Sequence, residues 1–284
     1  MEALILGDPE AVAMVHRAQP PRKLRKPRPR AVNVLFYSAA AAVFWLVLWW
    51  VAAACEWVPA LFLPSPAAVA ARFVSTALAG FADATLFQHA GASLFRVLSA
   101  LFLALIVGVP IGIGMGLSPV LRGLLDPVIE AYRPIPPLAY LPLVVIWFGI
   151  GEGPKILLIF LAILPAIALS TASGVRSVPA ERVNAARTLG ATPFGVLRDV
   201  VLPNALPEIL VGARIGLSVG WSTLVAAELV AARRGLGFMI QTASNFLVTD
   251  VVIVGILTIA AIAFAMEFGM RLLERRLTPW KGKQ

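Results

Sequence analysis

Groups able to act as nucleophiles or metal ligands are scarce in this chain, whose 284 residues hold one cysteine, Cys55, and two histidines, His16 and His89. A single thiol forms no internal disulfide, and no partner ligand stands at the spacing a zinc site requires. Two glycine runs imitate nucleotide-binding motifs. In Gly149-Ile150-Gly151-Glu152-Gly153-Pro154-Lys155 a proline stands where a phosphate loop needs glycine, and Ile156 where it needs serine or threonine. Gly112-Ile113-Gly114 follows no strand and is embedded in apolar sequence, so it is not a dinucleotide fingerprint. The chain has no nucleotide site of its own, and the energy for any work it does comes from a partner or a gradient.

The remaining polar chemistry lies inside apolar runs, where charge is costly and marks pairing or function. Glu228 follows Trp221-Ser222-Thr223-Leu224-Val225-Ala226-Ala227, with Arg233 and Arg234 a turn or more beyond. It either pairs with those arginines or lines a route for a charged solute together with Trp221. Glu267 stands four residues before Arg271, the spacing of a simple helix ion pair. Prolines 134, 136, 137 and 142 remove backbone donors next to Tyr132, Arg133 and Tyr140, which predicts a broken helix. Those three residues then line a path, or the prolines merely bend a helix near the inner interface. Asp83, Gln88 and His89 lie on a polar outer loop, where they either contact the solute or, as a lone histidine on such a loop usually is, are simply solvated.

The elements that must position these groups follow from composition. At 60% hydrophobic and 14% charged residues, with a mean hydropathy of +0.87, the chain is far more apolar than a soluble domain. An all-α integral membrane protein is expected. Runs long enough to cross the hydrocarbon core predict six spans, over 32–54, 94–117, 128–148, 156–175, 209–231 and 251–270. Arg17, Arg22, Lys23, Arg25, Lys26, Arg28 and Arg30 precede the first span, and Arg271, Arg275, Arg276, Lys281 and Lys283 close the chain. By the positive-inside rule both termini are cytoplasmic, and the basic arm contacts anionic lipid. No feature resembles a nucleic-acid module. The outer segment 55–93 should carry an interfacial helix over 67–78, started by Pro64-Ser65-Pro66. Gly108, Gly112 and Gly116, spaced by four, predict close approach of another helix.

Between the fourth and fifth spans lies a segment that reads as amphipathic rather than spanning. Glu181 opens a helix-compatible stretch, Gly190 ends it, Thr192-Pro193 starts a second one with Phe194, Val196, Leu197, Val200 and Val201 on its apolar face, and Pro203 blocks continuation. Asn184-Ala185-Ala186, three residues, Gly190, nine residues, Val200, one residue and Leu202-Pro203 is the order of this segment. That spacing resembles the coupling loop of permease subunits of ATP-binding-cassette importers. Asn184 stands where that family usually carries Glu.

Tyr132-Arg133-Pro134 through Trp147-Phe148-Gly149-Ile150-Gly151 and Gly220 through Glu228 are similar to the nitrate, sulfonate, taurine and bicarbonate branch of these permeases. The resemblance implies a type I importer permease fold: a basic arm over 1–31, a six-helix transmembrane domain over 32–271 with a coupling loop at 176–208, and a cytoplasmic tail over 272–284. It implies contact with an ATPase through Glu181, Asn184, Ala185, Ala186, Gly190, Leu202 and Pro203. It also implies an inner-membrane assembly of two copies of this chain, two cytoplasmic ATPases and a periplasmic solute-binding protein. No cofactor is expected on this chain, with ATP and Mg held by the ATPase. The implied solute is a small sulfonate, taurine first, with alkanesulfonate, nitrate or bicarbonate as alternatives. A gradient-driven transporter would show repeated halves, and a membrane enzyme a nucleophile or metal constellation; neither feature is visible.

Overall fold

The computed structural model describes residues 34–280, so the basic arm of 1–31, the start of the first predicted span and residues 281–284 of the tail lie outside the described residues. Contacts divide the chain after Leu48, into Met1–Leu48 and Trp49–Gln284. The first unit ends within α1 (Val34–Ala54), an apolar helix long enough to cross a membrane from Phe36. Among the described residues every regular element is helical, apart from one isolated bridge between Phe81 and Ala84.

In the second unit, α2 (Pro66–Leu78) starts as the sequence predicts. Ser65 caps it by accepting from the Ala68 amide, and Arg72 on its exposed side pairs with Asp250 at 2.7 Å. Helix α3 (Leu86–Leu117) begins eight residues before the predicted span. Thr85 and Gln88 form a reciprocal capping box, which satisfies two otherwise orphaned amides and extends the helix outward. His89 consequently belongs to a buried first turn, not to a solvated loop.

The third predicted span is two helices, α4 (Pro119–Tyr132) and α5 (Pro137–Phe148), separated by a break over 133–136. Neither piece alone has the length of a span, so five described helices meet that criterion rather than six. The other three in this unit are α6 (Glu152–Arg176), a helical run over Pro193–Leu229, and α11 (Thr249–Leu277). Between α6 and the run lies α7 (Ala180–Thr188). The run opens with the single turn α8 (Pro193–Val196), passes through a π turn at Leu197–Val201 and continues as α9 (Leu202–Ala231). Pro203 therefore does not block the helix. It stands in the first turn of α9, where its missing N–H and fixed φ cost little. A short α10 (Leu236–Asn245) connects α9 to α11.

Helix α6 is the centre of the packing, lying along both α3 and α9. Val97, Ala100, Leu101 and Ala104 of α3 meet Ile159, Ile163 and Ile167 of α6, and Ala213, Leu217, Trp221 and Leu224 of α9 complete this core. The predicted glycine stripe performs its role here. A Cβ on Gly112 would stand 2.5 Å from the Ala168 carbonyl oxygen and from Thr171 Cβ, and one on Gly116 would stand 2.5 Å from Val175 Cβ. A second stripe, Gly212, Gly216 and Gly220 on α9, admits Ser170 and Ile163 of α6 in the same way. In lipid, where water drives no helix association, this proximity is a principal source of packing energy.

Candidate functional site

Two regions at opposite ends of α6 carry the polar chemistry, and α6 is about 37 Å long at 1.5 Å per residue over its 25 residues. At its C-terminal end, α7 has Glu181 in its first turn and Arg187 in its last, the order that complements a helix dipole. Gly190 adopts φ +83°, its amide donates to the Arg187 carbonyl at 2.9 Å, and the Ala191 amide donates to the Ala186 carbonyl at 3.0 Å. Those paired bonds form a Schellman stop, which requires the left-handed backbone that glycine adopts without penalty. Thr192 then accepts from the Gly195 amide at 3.2 Å and starts α8.

Val175, Val196, Val201, Ala205 and Ile209 form a small core under this hairpin, with Val183 and Ala186 of α7 packed against it. Arg182 donates to the Asn204 side-chain oxygen at 2.5 Å, which ties α7 to the first turn of α9. Glu181, Asn184, Ala185 and Gly190 are exposed, while Ala186, Leu202 and Pro203 are half-buried beneath them. The surface has a feature the sequence reading missed. Leu189 is 88% exposed and Phe194 71% exposed, on either side of the Gly190 turn. The apolar run from Phe194 to Val201 divides, with Val196 and Val201 turned inward and Phe194 left outward. Two large apolar side chains flanking small residues make a surface suited to burial against another protein.

At the N-terminal end of α6 lies a buried ion network. Arg96 of α3, 2% exposed, places Nε 2.5 Å from Glu152 Oε2 and one terminal nitrogen 2.8 Å from Glu152 Oε1, a bidentate pair. Its other terminal nitrogen donates to Glu228 Oε1 at 2.5 Å and to the Arg234 carbonyl at 2.8 Å. Glu228 is fully buried and accepts further bonds from Ser93 Oγ at 2.8 Å and the Gly237 amide at 2.8 Å. Arginine suits this position because its planar fork serves two carboxylates at once.

The expected partners of Glu228 are thus corrected. Arg234 contributes only its backbone carbonyl, and the guanidinium comes from Arg96, too distant in sequence for proximity to reveal it. A lone arginine inside the run 94–117 was the available signal. The first three amides of the α10 segment are capped in this network: Gly235 by His89 Nδ1 at 3.1 Å, Leu236 by Ser93 Oγ at 2.9 Å and Gly237 by Glu228. Accepting at Nδ1 leaves the proton of neutral His89 on Nε2, which donates to the Phe81 carbonyl at 2.9 Å. Gly235, at φ +140°, lies so close over the Glu228 carboxylate that a Cβ there would overlap it.

Of the predicted path residues, Tyr132 and Tyr140 come together, their hydroxyls hydrogen-bonded across the helix break, and Arg133 beside them is exposed. Tyr140 also packs against Leu141, Val144, Leu158 and Ala227. Trp221 is buried in the α3–α6–α9 core, with no hydrogen-bond partner for Nε1 among the described residues, so it does not share the tyrosines' surroundings. Glu267 pairs with Arg271 at 2.9 Å as its spacing predicts, and Arg214 joins them at 3.7 Å.

Residues 108–279, which hold the broken helix, the hairpin around Gly190 and Glu228, match the family described as binding-protein-dependent transport system inner membrane component. The chain belongs to that family. It is a multi-pass inner-membrane component and not the catalytic subunit of its transport system. The chain is 57% identical over 263 residues, 92% of its length and 95% of the relative's, to the taurine transport system permease protein TauC of Escherichia coli (strain K12). It is 36% identical to the putative aliphatic sulfonates transport permease protein SsuC of the same organism, covering 83% of this chain and 88% of that one. Among solved structures it resembles an inward-facing conformation of the MetNI methionine ABC transporter, with a TM-score of 0.60 at 22% identity, over 68% of this chain and 96% of the other. That likeness establishes the type I permease fold. Within the permease, the hairpin around Gly190 and the ion network are joined through α6 and α9, helices that reach both ends.

Proposed function

We propose that this permease is the membrane-spanning half of an ATP-driven importer of a small sulfonate, taurine in the first instance, acting as a homodimer with two cytoplasmic ATPases and a periplasmic binding protein. The observation that carries the mechanism is the exposed hairpin around Gly190, in which Ala185, Leu189 and Phe194 face outward from a base anchored to α6 and α9. Such a rooted surface transmits a push from a bound ATPase to the spans, because its base is part of their core. The substrate class is supported by the likeness to the taurine and aliphatic sulfonate permeases.

In this reading both termini and the hairpin are cytoplasmic, a placement supported by the distribution of Lys and Arg. Closure of the ATPase pair on ATP moves the hairpins, and the spans tilt so that a cavity between the two copies opens outward. The broken backbone at 133–136, with Tyr132, Arg133 and Tyr140, lines the solute's path, since irregular backbone at membrane depth persists where it borders protein or a hydrated cavity. The basic arm and tail bind anionic lipid at the inner leaflet.

The test is ATP hydrolysis by the reconstituted complex with a panel of loaded binding proteins and solutes. Taurine should stimulate hydrolysis and drive uptake, whereas nitrate and bicarbonate should not. Equal hydrolysis with every solute, together with no taurine uptake, would remove the substrate assignment.

A further inference from the structure

The end of the bundle that carries the ion network also holds a cavity of about 630 Å³, and its charge is not accounted for by the ion pairs. Arg96, Gly151, Glu152, Lys155, Arg233 and Arg234 line it. Glu152 and Glu228 neutralise Arg96 and Lys155, the two cations that are buried. Arg233 and Arg234 are exposed, and among the described residues their guanidinium groups have no hydrogen bond or ion pair, so the cluster carries an excess of two positive charges.

Two further features turn that excess toward a ligand. Lys155 is 4% exposed, yet Nζ makes a single hydrogen bond, to Glu152 at 3.0 Å, which leaves two of its three N–H donors unused among the described residues. A buried ammonium with idle donors is costly unless an acceptor arrives. Gly151, at the start of α6, supplies no side-chain cap, so the first amides of a 25-residue helix open at the rim with their dipole positive.

We propose that this cavity is an acceptor site for a sulfonate anion, entered at the end of the permease opposite its coupling hairpin. The inference rests on the importer reading above and adds to it a place on the permease itself where the solute's anionic group is held. Three features favour a sulfonate: it stays ionised at any physiological pH, two of its three oxygens can accept from a guanidinium in bidentate fashion, and the third is left for Lys155 and the α6 amides. Space is ample. Because the guanidinium groups of Arg233 and Arg234 make no bond among the described residues, they can reorient onto the anion without breaking the Arg96–Glu228 pair.

The experiment is equilibrium binding of radiolabelled taurine to the full chain in lipid nanodiscs without binding protein, with ethanesulfonate, inorganic phosphate and ethylammonium as competitors. Saturable binding is expected, displaced by ethanesulfonate but not by ethylammonium or phosphate. The double substitution Arg233→Gln with Arg234→Gln should weaken it at least tenfold without lowering the thermal midpoint, and Arg233→Lys with Arg234→Lys should restore most of it. Absence of saturable binding, or equal binding in the Gln variant, overturns the proposal; equal displacement by phosphate overturns the sulfonate assignment. If the Gln variant instead loses affinity for the binding protein while taurine binding to the nanodisc is unchanged, the arginines are a protein contact and the proposal fails. Uptake by the wild-type complex separates the two readings. Import without nanodisc binding sinks only the acceptor site, and nanodisc binding without import sinks the importer.

Discussion

Arg96 and Glu228 are 132 residues apart in the chain and 2.5 Å apart in the fold, fully withdrawn from solvent between α3 and α9. With Glu152 of α6 on the other edge of the guanidinium, one side chain fastens three spans and the turn into α10. A buried pair of this kind contributes little net stability over an apolar filling, but removing one member strands the other.

Replacement of Arg96 by Met should therefore destabilise the protein by about 3–5 kcal/mol, since Glu228 would stay buried with only Ser93 and the Gly237 amide as donors. Glu228→Gln should cost less, because Arg96 keeps its bidentate bond to Glu152. Thermal unfolding in detergent checks the order. A smaller loss for Arg96→Met than for Glu228→Gln would contradict the account of which group is stranded.

At Gly112 the prediction is steric. A leucine there would drive α3 from α6 at Ala168 and Thr171, whereas a leucine at Gly123, which has nothing within 4 Å of its Cβ position, should be tolerated. Overpacking of a tight contact typically costs about 1–3 kcal/mol. Expression level and monodispersity of the two variants make the comparison, and equal behaviour would show that the glycine stripe is not a contact surface.

Gly190→Val tests the hairpin. No atom lies near the added Cβ, so the cost is conformational: φ +83° disfavours a side chain by about 1–2 kcal/mol, and a β-branched one most of all. The spans should fold and insert while ATPase attachment or coupled uptake is lost. Normal uptake with normal ATPase retention in that variant would reduce the hairpin to a connector.

Sidedness is checked with the native thiol as a control. Cys55 is exposed, and in the proposed topology it lies on the outer side, so an impermeant maleimide should label it in intact cells. In a Cys55→Ser background, a cysteine introduced at Thr192 should be protected until the membrane is opened. Labelling of that cysteine in intact cells would invert the topology.

The parts of this fold visible in the sequence are those whose causes are local. Ser65-Pro66 and Thr192-Pro193 start helices where they stand, Gly190 stops one, and Gly108, Gly112 and Gly116 share a face because four residues make nearly a turn. Arg96 was overlooked for the opposite reason. Its meaning depends on Glu152, 56 residues later, and on Glu228, and no periodicity links them. His89 was misplaced because its capping box precedes the long apolar run, and hydropathy locates the run rather than the cap. The outward aim of Phe194 is not legible because the single turn of α8 is too short for its apolar residues to define a face, and Pro203 misleads because a proline reads alike at the end of one helix and the start of the next.

The π turn at Leu197–Val201 sets the azimuth of everything below it. Each residue in a helix advances the chain by about 100°, so the extra residue that a π turn accommodates takes up roughly a quarter of a rotation that would otherwise be imposed on α8 and α7. Only with that slack absorbed do Arg182 and Asn204 meet, and only then do Leu189 and Phe194 face away from the spans. The heading of the hairpin is thus insulated from residue count: deleting one residue between Leu197 and Val201 would let the turn close as regular α-helix with the aim of the surface kept, whereas regular α-helix with every residue retained would swing it by roughly a quarter of a rotation.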